Sequence, residues 1–315
     1  MYLMTARTRS TALATLLVLA CALSAFAQDA ADVSQQYIQA HERARQLFGQ
    51  PQRLISHWHE FAERHQDHSL GRVARLNQAL CMLQRAFDDG SADEEEVRRD
   101  VLDLLDALVL PQSSATEAQA PDSSLPAGLG DESDIDDDYS TITLDELVHA
   151  AALGLRTHIE LAELAEHLQD HYRRHIEYPQ SLEVLVEAEL IAESRLIDPF
   201  GEPYHYAARP RSFIPDIPRQ SYTLRSESME AEPGQLRELI DWLDKPIENL
   251  EISTLAPDER RAYLRQRRPD GSWTSARSWR VGQQRTGVRL WAVYDDYLLI
   301  VRDNIVPQII TAEPR

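Results

Sequence analysis

The clearest arrangement for metal chemistry in this sequence is a series of ionisable side chains near its middle. Glu163, His167, His171 and His175 follow one another at four-residue steps, which places them on one face of an α-helix. Two imidazoles one helical turn apart can chelate zinc, and a carboxylate on the next turn can complete the site. The spacing therefore allows a metal-dependent hydrolase that uses Glu163, His167 and His171. The competing interpretation is a polar stripe that faces water.

Two other groups of residues could bind metal. His57, His59, His65 and His68 surround two aromatic residues, and we interpret them as part of a histidine-rich surface helix. Asp134, Asp136, Asp138 and Asp145 occupy the first, third, fifth and twelfth places of a possible calcium loop. The sixth place is Tyr139, where that loop needs glycine, so we expect a solvated acidic segment there.

Motifs of nucleophilic catalysis and nucleotide binding are missing from the sequence. It contains no Gly-x-Ser-x-Gly, no Ser-x-x-Lys, no Gly-x-Gly-x-x-Gly and no phosphate-binding loop. We call Glu163, His167, His171 and His175 the histidine stripe. We expect no enzyme activity unless this stripe binds zinc.

The histidine stripe belongs to a long amphipathic helix. Apolar residues recur at three- and four-residue steps from Leu147 to Tyr172, which is the helical period. Pro179 cannot continue the helix and favours an extended Tyr178. Residues 180–190 have the pattern of a second, short helix.

A tight bend and a strand come next. Asp198-Pro199 and Gly201 are typical of a turn, because proline fixes φ and glycine accepts a positive φ. Tyr204, His205 and Tyr206 then alternate aromatic and polar side chains, which predicts an edge strand.

In this order the segment resembles the soluble part of the major pseudopilin of type II secretion systems. The shared pattern is a long helix ending in Tyr-Pro, a short helix, Asp-Pro-aromatic-Gly-x-Pro-Tyr-x-Tyr and a later Tyr-x-Leu-x-Ser. The resemblance covers residues 146–226, about a quarter of the chain. It implies an α+β head domain that binds other proteins without catalysis, with a motif formed by Asp198, Phe200, Gly201, Tyr204, Tyr206 and Tyr222.

The sequence departs from that family in two respects. The family joins its head to a long apolar membrane helix, whereas the helix here contains charges such as Arg156, Glu160 and Glu163. Charges at this density do not cross a bilayer cheaply, so we expect no transmembrane segment in the mature protein. The family's calcium loop also has glycines that are replaced here by residues such as Glu227 and Ser228. Inherited calcium binding is therefore not expected.

Residues 1–27 have the features of a secretory signal peptide. Arg7 and Arg9 precede an apolar stretch, and Ala25-Phe26-Ala27 is a small-x-small cleavage site. The chain is therefore expected to be periplasmic or secreted. The alternative is a lipoprotein anchored through Cys21, because the four residues that end there loosely resemble a lipoprotein box.

The formal charge is −20, from 32 basic and 52 acidic residues. This balance argues against nucleic acid and anionic membranes as partners, since both require a basic face. We expect the partners to be other envelope or secretion-system proteins. Once Cys21 is removed with the signal, Cys81 has no other cysteine to pair with, and the fold must depend on burial.

The sequence predicts an α+β fold in three parts after the signal peptide. Residues 28–110 form a helical bundle, residues 111–140 a disordered acidic linker, and residues 141–315 a pseudopilin-like domain in which the long helix packs on a small antiparallel sheet. Residues 229–265 are predicted to be helical, with a short helix from Pro257 to Arg265. Residues 272–312 are predicted to form strands, with a hairpin at Asp295-Asp296, that extend the sheet begun at Tyr204.

Overall fold

The computed structural model describes residues 32–89, 94–109, 142–209, 220–243, 245–285 and 287–312. Within these residues the fold is α+β, with a helical region first and small antiparallel sheets after it, as the sequence predicts. The predicted signal peptide with Cys21 and the predicted acidic linker at 111–140 lie outside the described residues, and so does the possible calcium loop apart from Asp145.

Four helices form the N-terminal region. They are α1 at residues 32–46, α2 at Pro51–Arg64, α3 at Ser69–Asp89 and α4 at Glu94–Asp106. Pro51 occupies the first turn of α2, where its missing N–H is not needed. The buried face of α3 consists of leucine, valine and alanine at helical spacing, and α2 and α4 pack against α3.

The longest helix, α5, runs from Leu144 to His175. It begins with a capping box: the backbone N–H of Glu146 donates to Thr143 Oγ1, and the Thr143 N–H donates to the Glu146 carboxylate. The residue that caps its C-terminus is Ile176, whose φ of 59° is left-handed. A short helix α6 at Glu183–Glu187, a 3-10 turn at Glu193–Leu196 and the hairpin of β1 (His205–Arg209) and β2 (Ser221–Arg225) follow.

The rest of the chain forms α7 at Gln235–Ile240 and two further sheets. The first sheet has the order β3-β4-β5, with strands at Leu250–Ala256, Arg261–Gln266 and Arg277–Arg280. The second has the order β6-β7-β8-β9, with strands at Gln284–Arg285, Val288–Val293, Tyr297–Arg302 and Val306–Thr311. All pairings are antiparallel, and the predicted hairpin at Asp295-Asp296 is confirmed by the pairing of Val293 with Leu298.

Two predictions for the C-terminal part are wrong. Residues 257–265 do not form a helix, because the 3-10 turn that begins at Pro257 ends at Arg260, whose φ of 51° reverses the chain. Strand β4 then alternates buried Ala262 and Leu264 with less buried neighbours and pairs with β3. The C-terminal strands also do not extend the sheet that follows Tyr204, since β1 and β2 form a separate two-stranded sheet.

One continuous core joins the N-terminal helices to the C-terminal sheet, a question that the sequence left open. Tyr37 of α1 is 0% exposed, and its ring lies 5.9 Å from Trp58 and 6.5 Å from Tyr297 of β8. The Ser34 hydroxyl also donates to the Tyr297 hydroxyl at 3.3 Å. The helical region and the sheets therefore pack as a single body at this junction.

We expect Tyr37→Ala to lower the free energy of unfolding by about 3–5 kcal/mol, because the change leaves a cavity between the helices and the sheet. Tyr37→Phe keeps the ring and loses only the hydrogen bond from Asn77, so it should cost about 1 kcal/mol. Urea unfolding followed by helical circular dichroism and by tryptophan fluorescence should give coincident curves for both variants. Separate transitions would contradict a shared core.

Candidate functional site

The bend that carries the sequence motif is organised by the Asp198 carboxylate, which is buried. Its Oδ1 accepts the backbone N–H groups of Phe200 and Glu202, both at 3.0 Å, and its Oδ2 accepts the Ser226 hydroxyl at 2.7 Å. Gly201 has a φ of 98°, a value that favours glycine, and its N–H donates to the Asp198 carbonyl. Asp198 therefore closes the bend and ties it to the residue that follows β2.

Tyr204 links the hairpin to α5. Its hydroxyl donates to Glu160 Oε2 at 3.0 Å, and Glu160 is only 2% exposed. Arg156 Nε and Arg195 Nη1 both contact Glu160 Oε1, at 2.9 and 3.0 Å, and Arg195 also pairs with Glu163. Desolvation and the neighbouring carboxylate raise the pKa of Tyr204, so the phenol stays protonated and remains a donor.

The remaining aromatic residues form a cluster beside the end of α5. Tyr178 stacks on Tyr172 at 4.6 Å and meets the edge of Tyr222 at 4.8 Å, and Tyr222 lies 6.1 Å from Tyr206. The Tyr206 hydroxyl donates to the Pro179 carbonyl at 2.8 Å. Burial raises the pKa of Tyr206 and of Tyr222, which keeps both phenols neutral. These rings attach the chain after α5 to the β1–β2 hairpin.

The exposed side chains of the motif lie on the bend. Phe200 is 40% exposed, and Ile197, just before the turn, is 49% exposed. We call these two residues the bend patch. The other aromatic residues of the motif are buried or half-buried, so Phe200 is the motif's aromatic side chain that is most open to another molecule.

The histidine stripe is placed along the last turns of α5 without converging. The rings of His171 and His175 lie 4.3 Å apart, and His171 Nδ1 bonds to the Glu177 carbonyl at 2.9 Å. Glu163 is bound by Arg195 instead of facing the imidazoles. Across the described residues, no group of three or more His, Cys, Asp or Glu side chains is arranged to hold a metal ion.

The part of the chain that the structure describes also contains no helix long and apolar enough to cross a membrane. In comparisons with known proteins, no family model, no curated sequence and no solved structure matches this chain.

Sequence reasoning missed the ionic contacts that position α5. Arg156 and Glu160 are four residues apart, which indicates a helix pair, but the spacing does not show that Glu160 is buried or that Arg195 reaches it. Arg98 of α4 likewise forms a two-pronged bond to Glu166, at 2.7 and 2.8 Å. Contacts between residues so distant in sequence leave no periodic signal.

We expect Tyr204→Phe to lower the free energy of unfolding by about 1.5–3 kcal/mol, because a buried carboxylate loses a hydrogen-bond donor. The matched control is Tyr206→Phe, which removes a bond to a neutral carbonyl and should cost about 0.5–1.5 kcal/mol. Urea denaturation of both variants measures the two costs. Equal costs, or a larger cost for Tyr206→Phe, would show that Glu160 does not depend on Tyr204.

His158 of α5 should make stability depend on pH. It is 6% exposed, and burial lowers its pKa to about 4 from the ordinary 6.5. The unfolded chain therefore takes up a proton that the folded chain excludes, and stability should fall by roughly 2 kcal/mol between about pH 7 and pH 5 because of this group. His158→Leu should remove that part of the dependence in urea titrations at both pH values. An unchanged dependence would mean that His158 titrates normally when folded.

Proposed function

We propose that this chain is a non-catalytic protein-binding module of the bacterial cell envelope, with residues 146–226 resembling the head domain of a type II secretion pseudopilin. In this proposal the module is periplasmic or secreted, and its partners are other envelope or secretion-system proteins.

The observation that carries the proposal is how the motif side chains are used. Asp198 closes the bend, Tyr204 is bonded to Glu160, and Tyr206 and Tyr222 pack with Tyr178. Each of these groups either closes the bend or holds α5 and the chain after it against the hairpin, and none is presented as an acid, base or nucleophile in an open site. This use suits a scaffold better than a reaction centre.

The bend patch is the surface that the scaffold presents. Ile197 and Phe200 are exposed apolar side chains on a turn that Asp198 holds rigid by three hydrogen bonds. A rigid apolar turn suits protein recognition, because little conformational entropy is lost when it docks and aromatic residues often dominate binding energy.

A photo-crosslinking phenylalanine analogue at Phe200 of the full chain tests the proposal in cells that secrete it. We expect an adduct with a specific envelope protein from the Phe200 position. We expect the same adduct to be lost when Ile197→Asp is added, because a charge in the bend patch must be desolvated on binding. The matched control places the analogue at Phe48, which is 54% exposed and lies between α1 and α2.

The proposal fails if Phe200 gives no adduct or gives the same adducts as Phe48. Metal analysis of the purified chain provides an independent contradiction. Stoichiometric zinc that is lost in His167→Ala would favour the hydrolase that uses Glu163, His167 and His171.

A further inference from the structure

A cavity of about 480 Å³ lies between the N-terminal helices and the last strand, β9. Its volume is within the range of about 300–1,000 Å³ that is typical of small-molecule sites. Helices α1, α2 and α3, the chain that follows α7, and strand β9 supply its walls. Neither the bend patch nor the histidine stripe contributes a residue to it, so this cavity is separate from the surface considered above.

Most of the cavity wall is apolar, and its deepest part is buried. Leu54 and Trp58 of α2 and Ile309 of β9 line it, and each is at most 8% exposed. Ala44 of α1 and Pro307 of β9 are buried beside them. A wall of this kind favours a ligand with an apolar body, because contact with it removes apolar surface from water.

Two polar side chains of the wall are uncharged at neutral pH. Desolvation, together with the nearby charge of Arg45, lowers the pKa of His41 to about 4, so the imidazole is neutral at pH 7. Gln308 of β9 is buried, and its amide donates to the carbonyls of Trp242 at 2.8 Å and Lys245 at 3.0 Å. These two bonds hold the chain after α7 in place as one wall of the cavity.

The rim of the cavity carries a single kind of formal charge. Arg45 of α1 lines the cavity and is exposed, and the described residues that line it include no Asp, Glu or Lys, although the chain has 52 acidic residues. The Arg45 guanidinium forms no ion pair with any residue that the structure describes. Phe48, which is 54% exposed, is a second rim residue. This charge distribution is complementary to a ligand with an anionic group at one end.

We propose that this cavity binds a medium-chain fatty-acid anion, with its alkyl chain against the buried wall and its carboxylate beside Arg45. Aliphatic side chains outnumber aromatic ones in the wall, and a flexible alkyl chain can follow their irregular contour. The guanidinium is planar and matches the geometry of a carboxylate. The inference does not rest on the proposed protein-binding function, because the two surfaces share no residue.

Titration calorimetry of the purified chain at pH 7 with hexanoate, octanoate and decanoate tests the apolar part of the site. We expect the affinity to rise by about fourfold for each added methylene, because each one leaves water on binding. The rise should stop once the chain fills the cavity. An affinity that does not change with chain length would overturn the inference.

A comparison of decanoate with its neutral analogue decanol tests the role of Arg45. Arg45→Gln should weaken decanoate binding by about fivefold and leave decanol binding unchanged, because only the carboxylate pairs with the exposed guanidinium. The matched control is Arg43→Gln, which removes a neighbouring exposed arginine of α1 that does not line the cavity. Equal decanoate affinities for the two variants would contradict the proposed position of the carboxylate.

Two substitutions that fill the cavity locate the site. Ala44→Phe, in α1, and Ile247→Trp, in the chain after α7, should each weaken decanoate binding by at least about tenfold, because the added ring occupies the space of several methylenes. Circular dichroism melting verifies that each variant is folded. Ile247 is half-buried and lies outside the helices and strands, so its variant decides the question if Ala44→Phe does not fold.

Three further results would overturn the inference. The first is the absence of measurable decanoate binding to the wild-type chain. The second is unchanged decanoate affinity in a folded cavity-filling variant, since the acid would then bind elsewhere on the surface. The third is tighter binding of naphthoate than of decanoate, which would assign the cavity to aromatic acids.

Discussion

The structure around the motif depends on one buried carboxylate. Removing Glu160 from water costs several kcal/mol unless cations and hydrogen-bond donors surround it, and Arg156, Arg195 and Tyr204 supply them. Arg195 belongs to the turn before the bend and Tyr204 to the residues that enter β1, while Arg156 also pairs with Asp106 of α4. A displacement of the turn with Arg195, or of the residues that enter β1, would remove one of the three partners of this buried charge. The network therefore specifies how α5, the bend and α4 are arranged.

This constraint explains why the motif residues are internal. The bend places Tyr204 at the position from which its hydroxyl reaches Glu160, and the turn chemistry of Asp198 and Gly201 fixes that position. Their residue types are thus required by geometry, and chemistry on a substrate is not needed to account for them. Recognition of another molecule must use what the scaffold leaves exposed, such as the bend patch.

The sequence predicted those elements whose signals are local. The period of α5, the proline after it, the bend at Asp198 and the hairpin at Asp295-Asp296 all depend on residues within a few positions of one another. Strands β3 and β4 escaped prediction because they become strands by pairing across the turn that ends at Arg260. For the candidate site, spacing placed the histidines on one helix but could not show that Glu163 pairs with Arg195.

The formal net charge is a property of composition, and it does not describe how the charges are arranged on the surface. A total of −20 argues against anionic partners when charge is averaged over the chain, and it properly describes solubility. A partner meets the local field, which is set within about one Debye length of the surface. Strand alternation turns every second residue of β4 to the same side, so an arginine-rich segment becomes a basic face on an acidic protein. The position of the arginines on the strands, and not their number, therefore determines the local field of this sheet.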